Sequence, residues 1–372
     1  MSFLYENLFA ITWQQVAMWA IGSVLIYLAI KKDMEPSLLL PIGFGAILVN
    51  LPFSGAVNQI INDVLQEGPL SVLYTAGIAN ELFPLLLFIG IGAMCDFGPL
   101  LSNPSLMLFG AAAQFGIFFM LCLASMFFPI NDAASIATIA AADGPTAIVV
   151  AQKLGSKYLG AIMVAAYSYM ALVPIIQPPV IKLLTTKNER KIHMDYEPKQ
   201  VSKTTRILFP IIITVVAGLI SPASVSLVGF LMFGNLLKEC GVLNSLSDTA
   251  QDALANIITL ILGITIASQM QAEQFLQVDT LIILGLGLFG FVFDTAGGIM
   301  FAKLINLFSK KKINPMIGAA GISAFPMSGR IVHKMGLEED NQNFLLMHSM
   351  AVNVSGQIAS VVAGGLILSM FM

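Results

Sequence analysis

The stretch AADGPT at residues 141–146 and the stretch ISAFPM at residues 322–327 interrupt two apolar regions with polar, glycine and proline residues. The two stretches lie 181 positions apart, and Pro145 aligns with Pro326 without a gap. Downstream, KLG at 153–155 aligns in the same way with KMG at 334–336. Paired broken segments in corresponding halves of a membrane chain are typical of a transporter's binding site. The pattern predicts an internal repeat built around an ion site.

Composition places most of the chain in lipid. Of its 372 residues 57% are hydrophobic and only 10% are charged, with a mean hydropathy of +0.86. Soluble domains carry about 25% charged residues. The net charge of -3 and the absence of a basic cluster indicate that nucleic acid is not a partner. The three cysteines are scattered and give neither a disulfide framework nor a metal-binding spacing.

Apolar segments occur in two sets of five, each with one broken segment before its last member. The first set is Val16–Ile30, Ser37–Leu51, Leu70–Ala93, Ser105–Phe128 and Tyr158–Ile181, with the broken segment Ala133–Ala151. The second set is Ile207–Ile220, Ala223–Leu237, Ala253–Met270, Thr280–Phe301 and Phe344–Met370, with the broken segment Ile313–Gly329. This order predicts an all-α polytopic membrane protein with about five spanning helices and one broken or re-entrant hairpin per repeat. Its divisions are a first repeat (1–181), a charged cytoplasmic loop (182–206) and a second repeat (207–372).

The orientation follows from the distribution of basic residues, which favour the cytoplasmic side. Five crossings are an odd number, so the second repeat would be inverted relative to the first. With both termini outside, 16 of the 18 Lys and Arg residues face the cytoplasm, and only Lys153 and Lys157 lie outside. We therefore expect a multi-pass protein of the inner (cytoplasmic) membrane, with the loop Pro52–Pro69 on the outer side. The sequence does not decide whether Phe3–Trp13 forms an additional interfacial helix.

The polar residues of the broken segments suit a sodium site. Asp143 is the only carboxylate between Asp132 and Glu189, and a charged residue at membrane depth costs at least about 2.5 kcal/mol and is usually functional. Hard cations prefer carboxylate, amide, hydroxyl and carbonyl oxygens. Side chains that offer such oxygens are Thr146, Asn314, Ser323, Asn353 and Ser355. The alternative is that Asp143 serves only as a helix N-cap.

Two further residues are candidates for chemistry rather than sodium binding. Arg330 follows the second break, and its planar guanidinium suits a bidentate contact with a carboxylate. It would otherwise be a flanking base that fixes the topology. Tyr167 and Tyr169 lie on an apolar helix. One interpretation is that one of them relays a proton, and the other is that both pack in the core with hydrogen-bonded hydroxyls. Asp294 and Gln114 are secondary candidates.

Three motifs give the chain a resemblance to a known family. They resemble the signatures of the β subunit of sodium-pumping, biotin-dependent decarboxylases. The motifs are DGPTA at 143–147, GAMCDFGPLL at 92–101, and the series between 314 and 348 that contains GISA at 321–324 and NFLLMH at 343–348. The members of that family serve oxaloacetate, methylmalonyl-CoA, glutaconyl-CoA or malonate decarboxylases. The resemblance covers nearly the whole chain.

The resemblance implies a function and a set of partners. Such a subunit decarboxylates carboxybiotin, consumes an external proton and exports Na⁺, and its fold is similar to that of elevator-type carriers. The biotin would be carried on another polypeptide, since a Met-Lys-Met biotinylation motif is absent. The implied partners are a biotin carrier protein, a carboxyltransferase subunit and a small membrane anchor subunit, with a homo-oligomer such as a trimer.

The resemblance also assigns roles to residues at matching positions. Asp143, Arg330 and Tyr169 would be catalytic, and Arg330 with Ser323 would bind carboxybiotin. The residues that would bind Na⁺ are Asp143, Asn314, Gly318 and Ser323, and Asn353 is added to them for its oxygen chemistry alone. An autonomous Na⁺-coupled secondary transporter or Na⁺/H⁺ antiporter would show the same topology and aspartate, and a structural anchor for a soluble enzyme is a third possibility.

Overall fold

The computed structural model describes residues 7–61, 63–195 and 200–372. Residues 1–6, where the segment Phe3–Trp13 begins, and residues 196–199 of the charged loop lie outside the described part. The first half is helical apart from one short hairpin in the loop between α2 and α3. Its helical stretches are α1 (Trp13–Lys32), α2 (Pro36–Val49), α3 (Pro69–Ile78), α4 (Leu82–Met94), α5 (Gly98–Ser102), α6 (Pro104–Ala124), α7 (Ile130–Ala137), α8 (Gly144–Lys153) and α9 (Leu159–Leu184).

The second half is also mainly helical. Its helical stretches are α10 (Lys187–Arg190), α11 (Lys203–Ile220), α12 (Val225–Glu239), α13 (Asn244–Gln269), α14 (Ala272–Phe275), α15 (Val278–Phe308), α16 (Met316–Ala319), α17 (Met327–Glu339) and α18 (Leu346–Phe371). Within the described residues, seven helices are long and apolar enough to cross a membrane, or eight if the bent pair α3–α4 is one span. The prediction of an all-α polytopic membrane protein is confirmed at this level.

The expectation of ten full spans differs from the structure at three places. α2 and α12 have 14 and 15 residues, so at 1.5 Å per residue each is shorter than the roughly 30 Å apolar core of a bilayer. Leu70–Ala93, expected to be continuous, is bent by 64° between α3 and α4. The bend lies at Glu81, whose backbone is left-handed (φ 66°). The Asn80 side chain takes over two backbone hydrogen bonds there: its amide donates to the Ala76 carbonyl, and its carbonyl accepts the Leu82 N–H.

Strand β1 (Gln59–Ile61) pairs antiparallel with β2 (Val64–Gln66), with Gln59 opposite Gln66. This hairpin was not expected from the apolar pattern, and it lies in the loop assigned to the outer side. α18 is the most deeply buried of the candidate spans, and α11 is the most exposed. α18 packs against α6, α8 and α17, so both broken segments have their packing partners on one central helix.

Candidate functional site

The first broken segment ends its helix locally and presents Asp143. After α7 the chain forms a 3₁₀ turn over Thr138–Ala141, and Ala142 then takes a left-handed conformation with φ 52°. Asp143 is the N-cap of α8: Oδ1 accepts the backbone N–H of Thr146 at 3.2 Å, and Oδ2 accepts its hydroxyl at 2.8 Å. Pro145 fits the first turn because its missing N–H has no partner there in any helix. The capping role of Asp143 is therefore real.

Capping does not exhaust the contacts of Asp143, which is only 2% exposed. From α18, the Gln357 amide donates to Oδ2 at 3.2 Å and the Ser360 hydroxyl donates to the same oxygen at 2.6 Å. A carboxylate has about four acceptor positions, and four donors meet it here. Sequence reasoning missed Gln357 and Ser360. Their signal was the polar series Asn353, Gln357 and Ser360 at helical spacing within an apolar span.

The second broken segment contacts the first directly. The backbone N–H and the hydroxyl of Ser323 both donate to the Ala141 carbonyl, at 3.2 and 2.8 Å. Asn353 supports the second break from α18, since its amide donates to the carbonyls of Ala320 (3.1 Å) and Ile322 (2.8 Å). Its Oδ1 has no hydrogen-bond partner among the described residues. The two interruptions seen in the sequence thus form one site.

Asp143 and Ser323 line a common cavity of about 190 Å³. Glu35, at the start of α2, lines it as well. Burial raises the pKa of the Glu35 carboxyl, whereas the positive charge of Arg330 acts in the opposite direction. The Arg330 side chain is exposed, and within the described residues its guanidinium has no hydrogen-bond or ion-pair partner. Arg330 itself does not line the cavity, and its contact with a carboxylate stays a prediction.

Two of the residues proposed for sodium lie elsewhere. The Asn314 amide donates to the carbonyls of Arg190 (2.8 Å) and Ile192 (3.0 Å), so it anchors the loop after α10. Gly318 lies against α15, where a Cβ would be 2.1 Å from the Gly298 carbonyl oxygen. Neither residue lines the cavity of Asp143 and Ser323. In this structure both have packing or bracing roles.

The two tyrosines of α9 point to different neighbours. The Tyr169 hydroxyl donates to the Leu284 carbonyl on α15. Tyr167 instead places its ring against Gly144, where an added Cβ would be 2.3 Å from a ring carbon. The Tyr167 hydroxyl is buried and has no hydrogen-bond partner among the described residues. Tyr167, rather than Tyr169, is therefore the tyrosine that packs beside the Asp143 cap.

The secondary candidates form a separate polar region behind the broken segments. Asp294 is fully buried in α15 and lies against the backbone N–H groups of Gly116 and Ile117, although no described group meets its oxygens with good hydrogen-bond geometry. The Gln114 amide donates to the carbonyls of Gly110 (3.1 Å) and Gly321 (3.4 Å). These residues do not line the cavity of Asp143.

The fold and this site define a class, that of polytopic helical membrane proteins in which two interrupted helices meet around a buried carboxylate. Residues 14–371 match the family described as "Na+-transporting oxaloacetate decarboxylase beta subunit". The chain therefore belongs to this family, and the resemblance drawn from its motifs is confirmed.

Individual relatives cover nearly the full length on both sides. The methylmalonyl-CoA decarboxylase subunit beta of Propionigenium modestum is 49% identical over 374 residues, with 96% of this chain and 94% of the relative covered. The glutaconyl-CoA decarboxylase subunit beta of Acidaminococcus fermentans is 47% identical, covering 97% and 94%. The oxaloacetate decarboxylase beta chain of Klebsiella pneumoniae is 44% identical, covering 95% and 94%. Subunits that serve three different substrates are thus similar to this one.

Proposed function

We propose that this chain is the membrane subunit of a Na⁺-translocating decarboxylase, in which it decarboxylates carboxybiotin, takes up an external proton and exports Na⁺. The observation that carries the proposal is the cavity where Asp143 and Ser323 meet, combined with membership of the family. The family match favours this function over an autonomous carrier or a structural anchor. Because relatives with three substrates are similar along their whole length, the acyl substrate would be handled by another subunit.

Sodium would bind at Asp143 by replacing hydrogen bonds with ion–oxygen contacts. The hydroxyls of Thr146 and Ser360 donate to the carboxylate in the described state. A hydroxyl has one proton and two lone pairs, so each can turn its proton away and offer oxygen to a cation. Ser360 already has another acceptor, the Gln357 carbonyl at 3.1 Å. A proton on Asp143 would take the place of the ion after release.

Carboxybiotin would be held through its carboxylate by Arg330, with Ser323 on the cavity side. In the reaction the bond between the ureido nitrogen and the carboxylate carbon breaks, and its electron pair stays on nitrogen. CO₂ leaves, and the nitrogen takes up one proton to give biotin. Transfer of the carboxylate from bulk water into the protein interior disfavours its charged form and so favours its loss as neutral CO₂. Tyr169 and Asp143 are the candidate proton carriers proposed from the resemblance.

The arrangement of the subunit in the membrane is part of the proposal. The repeated order of helices supports two inverted repeats (1–181 and 207–372) that work as an elevator-type carrier, and the 16 cytoplasmic bases support external termini in the inner membrane. The beta designation of the relatives supports further subunits in the complex. We propose a biotin carrier protein, a carboxyltransferase subunit, a small membrane anchor subunit and homo-oligomerisation, with Na⁺ and biotin as the required small molecules.

The test is Asp143→Asn in the assembled complex. The amide keeps the size of the side chain and part of its capping role but removes the charge that attracts Na⁺. We expect the variant to insert and assemble, and to lose Na⁺ uptake into inverted membrane vesicles. Wild-type uptake by the Asn variant would rule out Asp143 as the ion site.

A further inference from the structure

The cavity of Asp143 and Ser323 has a second set of lining residues that comes from outside the broken segments. α2 and α13 contribute polar side chains to it. They are Ser37, Gln251, Asn256 and Thr259. The remaining contacts from these two helices are the apolar Leu38 and Ala255, along with Glu35 at the start of α2. The cavity thus has polar groups on the part that neither break supplies.

Asn256 is unusual for its position on α13. It lies in an apolar span, its side chain is exposed, and it makes no hydrogen bond to any residue within 7–61, 63–195 or 200–372. Thr259, three positions later and thus on the same helical face, also has no side-chain partner within those ranges. An amide without a partner is unfavourable in an apolar environment, and polar residues in spans usually face a functional cavity. The two side chains are therefore available to a polar ligand that enters the cavity.

The chemistry of an amide separates two possible ligands. Sodium is coordinated by oxygen atoms, and the Asp143 carboxylate with its neighbouring hydroxyls already supplies these. A side-chain amide offers both N–H donors and a carbonyl acceptor. A ureido ring presents the complementary pair, a carbonyl acceptor and a ring N–H donor. Asn256 matches such a ring better than it matches an ion.

We propose that Asn256, with Thr259 beside it, binds the ureido ring of carboxybiotin in this cavity, while Arg330 binds the carboxylate. This inference rests on the proposed function and adds the residues that recognise the uncharged part of the substrate. Because the ring remains after CO₂ has left, Asn256 contacts both the substrate and the product. It therefore governs affinity for biotin and leaves the requirement for Na⁺ unchanged.

The experiment uses the purified decarboxylase complex that contains this chain and measures decarboxylation of free carboxybiotin. The variant is Asn256→Leu, which has similar size and no hydrogen-bonding group. The matched control is Asn244→Leu, an exposed asparagine at the start of the same helix, about 18 Å away along its axis. Loss of one or two hydrogen bonds predicts a KM for carboxybiotin that is raised about 5-fold to about 30-fold. The half-activating Na⁺ concentration and the control variant should stay within about twofold of wild type, the ordinary spread of a surface change.

A second measurement does not depend on activity. The Asn256→Cys variant, in a cysteine-free background, would be labelled with a small thiol reagent, with and without free biotin. Biotin should slow the labelling, and Na⁺ alone should not. Labelling of the matched Asn244→Cys variant should be indifferent to both.

Two results would overturn the inference. One is a wild-type KM for Asn256→Leu together with labelling that biotin does not slow. The other is a raised Na⁺ requirement at an unchanged KM, which would place Asn256 on the ion path. A wild-type complex that fails to decarboxylate free carboxybiotin in a Na⁺-dependent way would overturn the proposed function itself, and this inference with it.

Discussion

Removal of the Ser360 hydroxyl tests the proposal that Na⁺ and a proton compete for Asp143. The Ser360 Oγ lies 2.6 Å from Asp143 Oδ2 and is one of four donors to the carboxylate. That distance is in the range of hydrogen bonds to an ionised oxygen. Ser360→Ala destabilises the ionised form of Asp143 and removes one oxygen that a bound cation would use. The proton therefore competes more strongly with Na⁺ for the site.

The size of the effect follows from the strength of this contact. A hydrogen bond to a charged group contributes about 1.5–3 kcal/mol, and about 1.4 kcal/mol corresponds to a factor of ten. We expect the half-activating Na⁺ concentration to rise about 10-fold to about 100-fold, on the same scale. The deficit should shrink as the pH rises, because fewer protons then compete with Na⁺. The maximal rate at saturating Na⁺ should change far less.

The assay is decarboxylation by the purified complex against Na⁺ concentration at two pH values. Ser369→Ala is the matched control on the same helix: its hydroxyl donates to the Gly365 carbonyl at 3.0 Å and shares a contact with Ser221. The control should keep the wild-type Na⁺ dependence. A Ser360→Ala complex with a normal Na⁺ requirement at both pH values would refute the idea that the described hydrogen-bond network sets ion affinity.

Three other predictions use separate parts of the chain. Gly318→Ala places a Cβ 2.1 Å from a carbonyl oxygen of α15, and such overpacking should destabilise the detergent-solubilised protein by about 1–3 kcal/mol in a thermal unfolding assay. Gly285→Ala, which has open space around it, should not change the stability. A stable Gly318→Ala protein with an altered Na⁺ requirement would instead favour the sodium role. Arg330→Lys keeps the charge but loses the planar fork, so decarboxylation of carboxybiotin should be severely impaired, and a normal rate would reduce Arg330 to a flanking charge. An impermeant thiol reagent applied outside should label Asp63→Cys but not Asp195→Cys, and the opposite pattern would reverse the topology.

The local chemistry of the broken segments could be predicted from the sequence alone. The start of α8 depends only on neighbours within one turn. Asp143 accepts the Thr146 N–H as the N-cap, and Gly144 and Pro145 form the first turn. The apolar segments predicted the helices in a similar way, because a segment buried in lipid must form all of its backbone hydrogen bonds internally. The bend between α3 and α4 was missed because its cause, the adjacent pair Asn80 and Glu81, lies in a run that is otherwise mostly apolar.

The faces of the helices could not be predicted. Tyr167 and Tyr169 are two positions apart and so lie about 200° apart around α9. Tyr167 therefore packs beside the Asp143 cap, whereas Tyr169 contacts α15. Because both tyrosines lie in the same apolar segment, the sequence does not distinguish which of them faces Asp143. Likewise Asn314 has the right chemistry for an ion, but packing of the loop after α10 occupies its amide.

The sequence alone was enough to infer the class of protein, its family, the positions of the two breaks and the carboxylate at the first of them. Each of these depends on composition, on motif or on contacts within a helical turn. Other contacts depend on how the helices pack: Ser323 bonds to Ala141, Gln357 and Ser360 bond to Asp143, and Asn256 lines the same cavity. These partners are up to 217 residues apart, and their meeting depends on how each helix is rotated and packed, which no short stretch of sequence specifies.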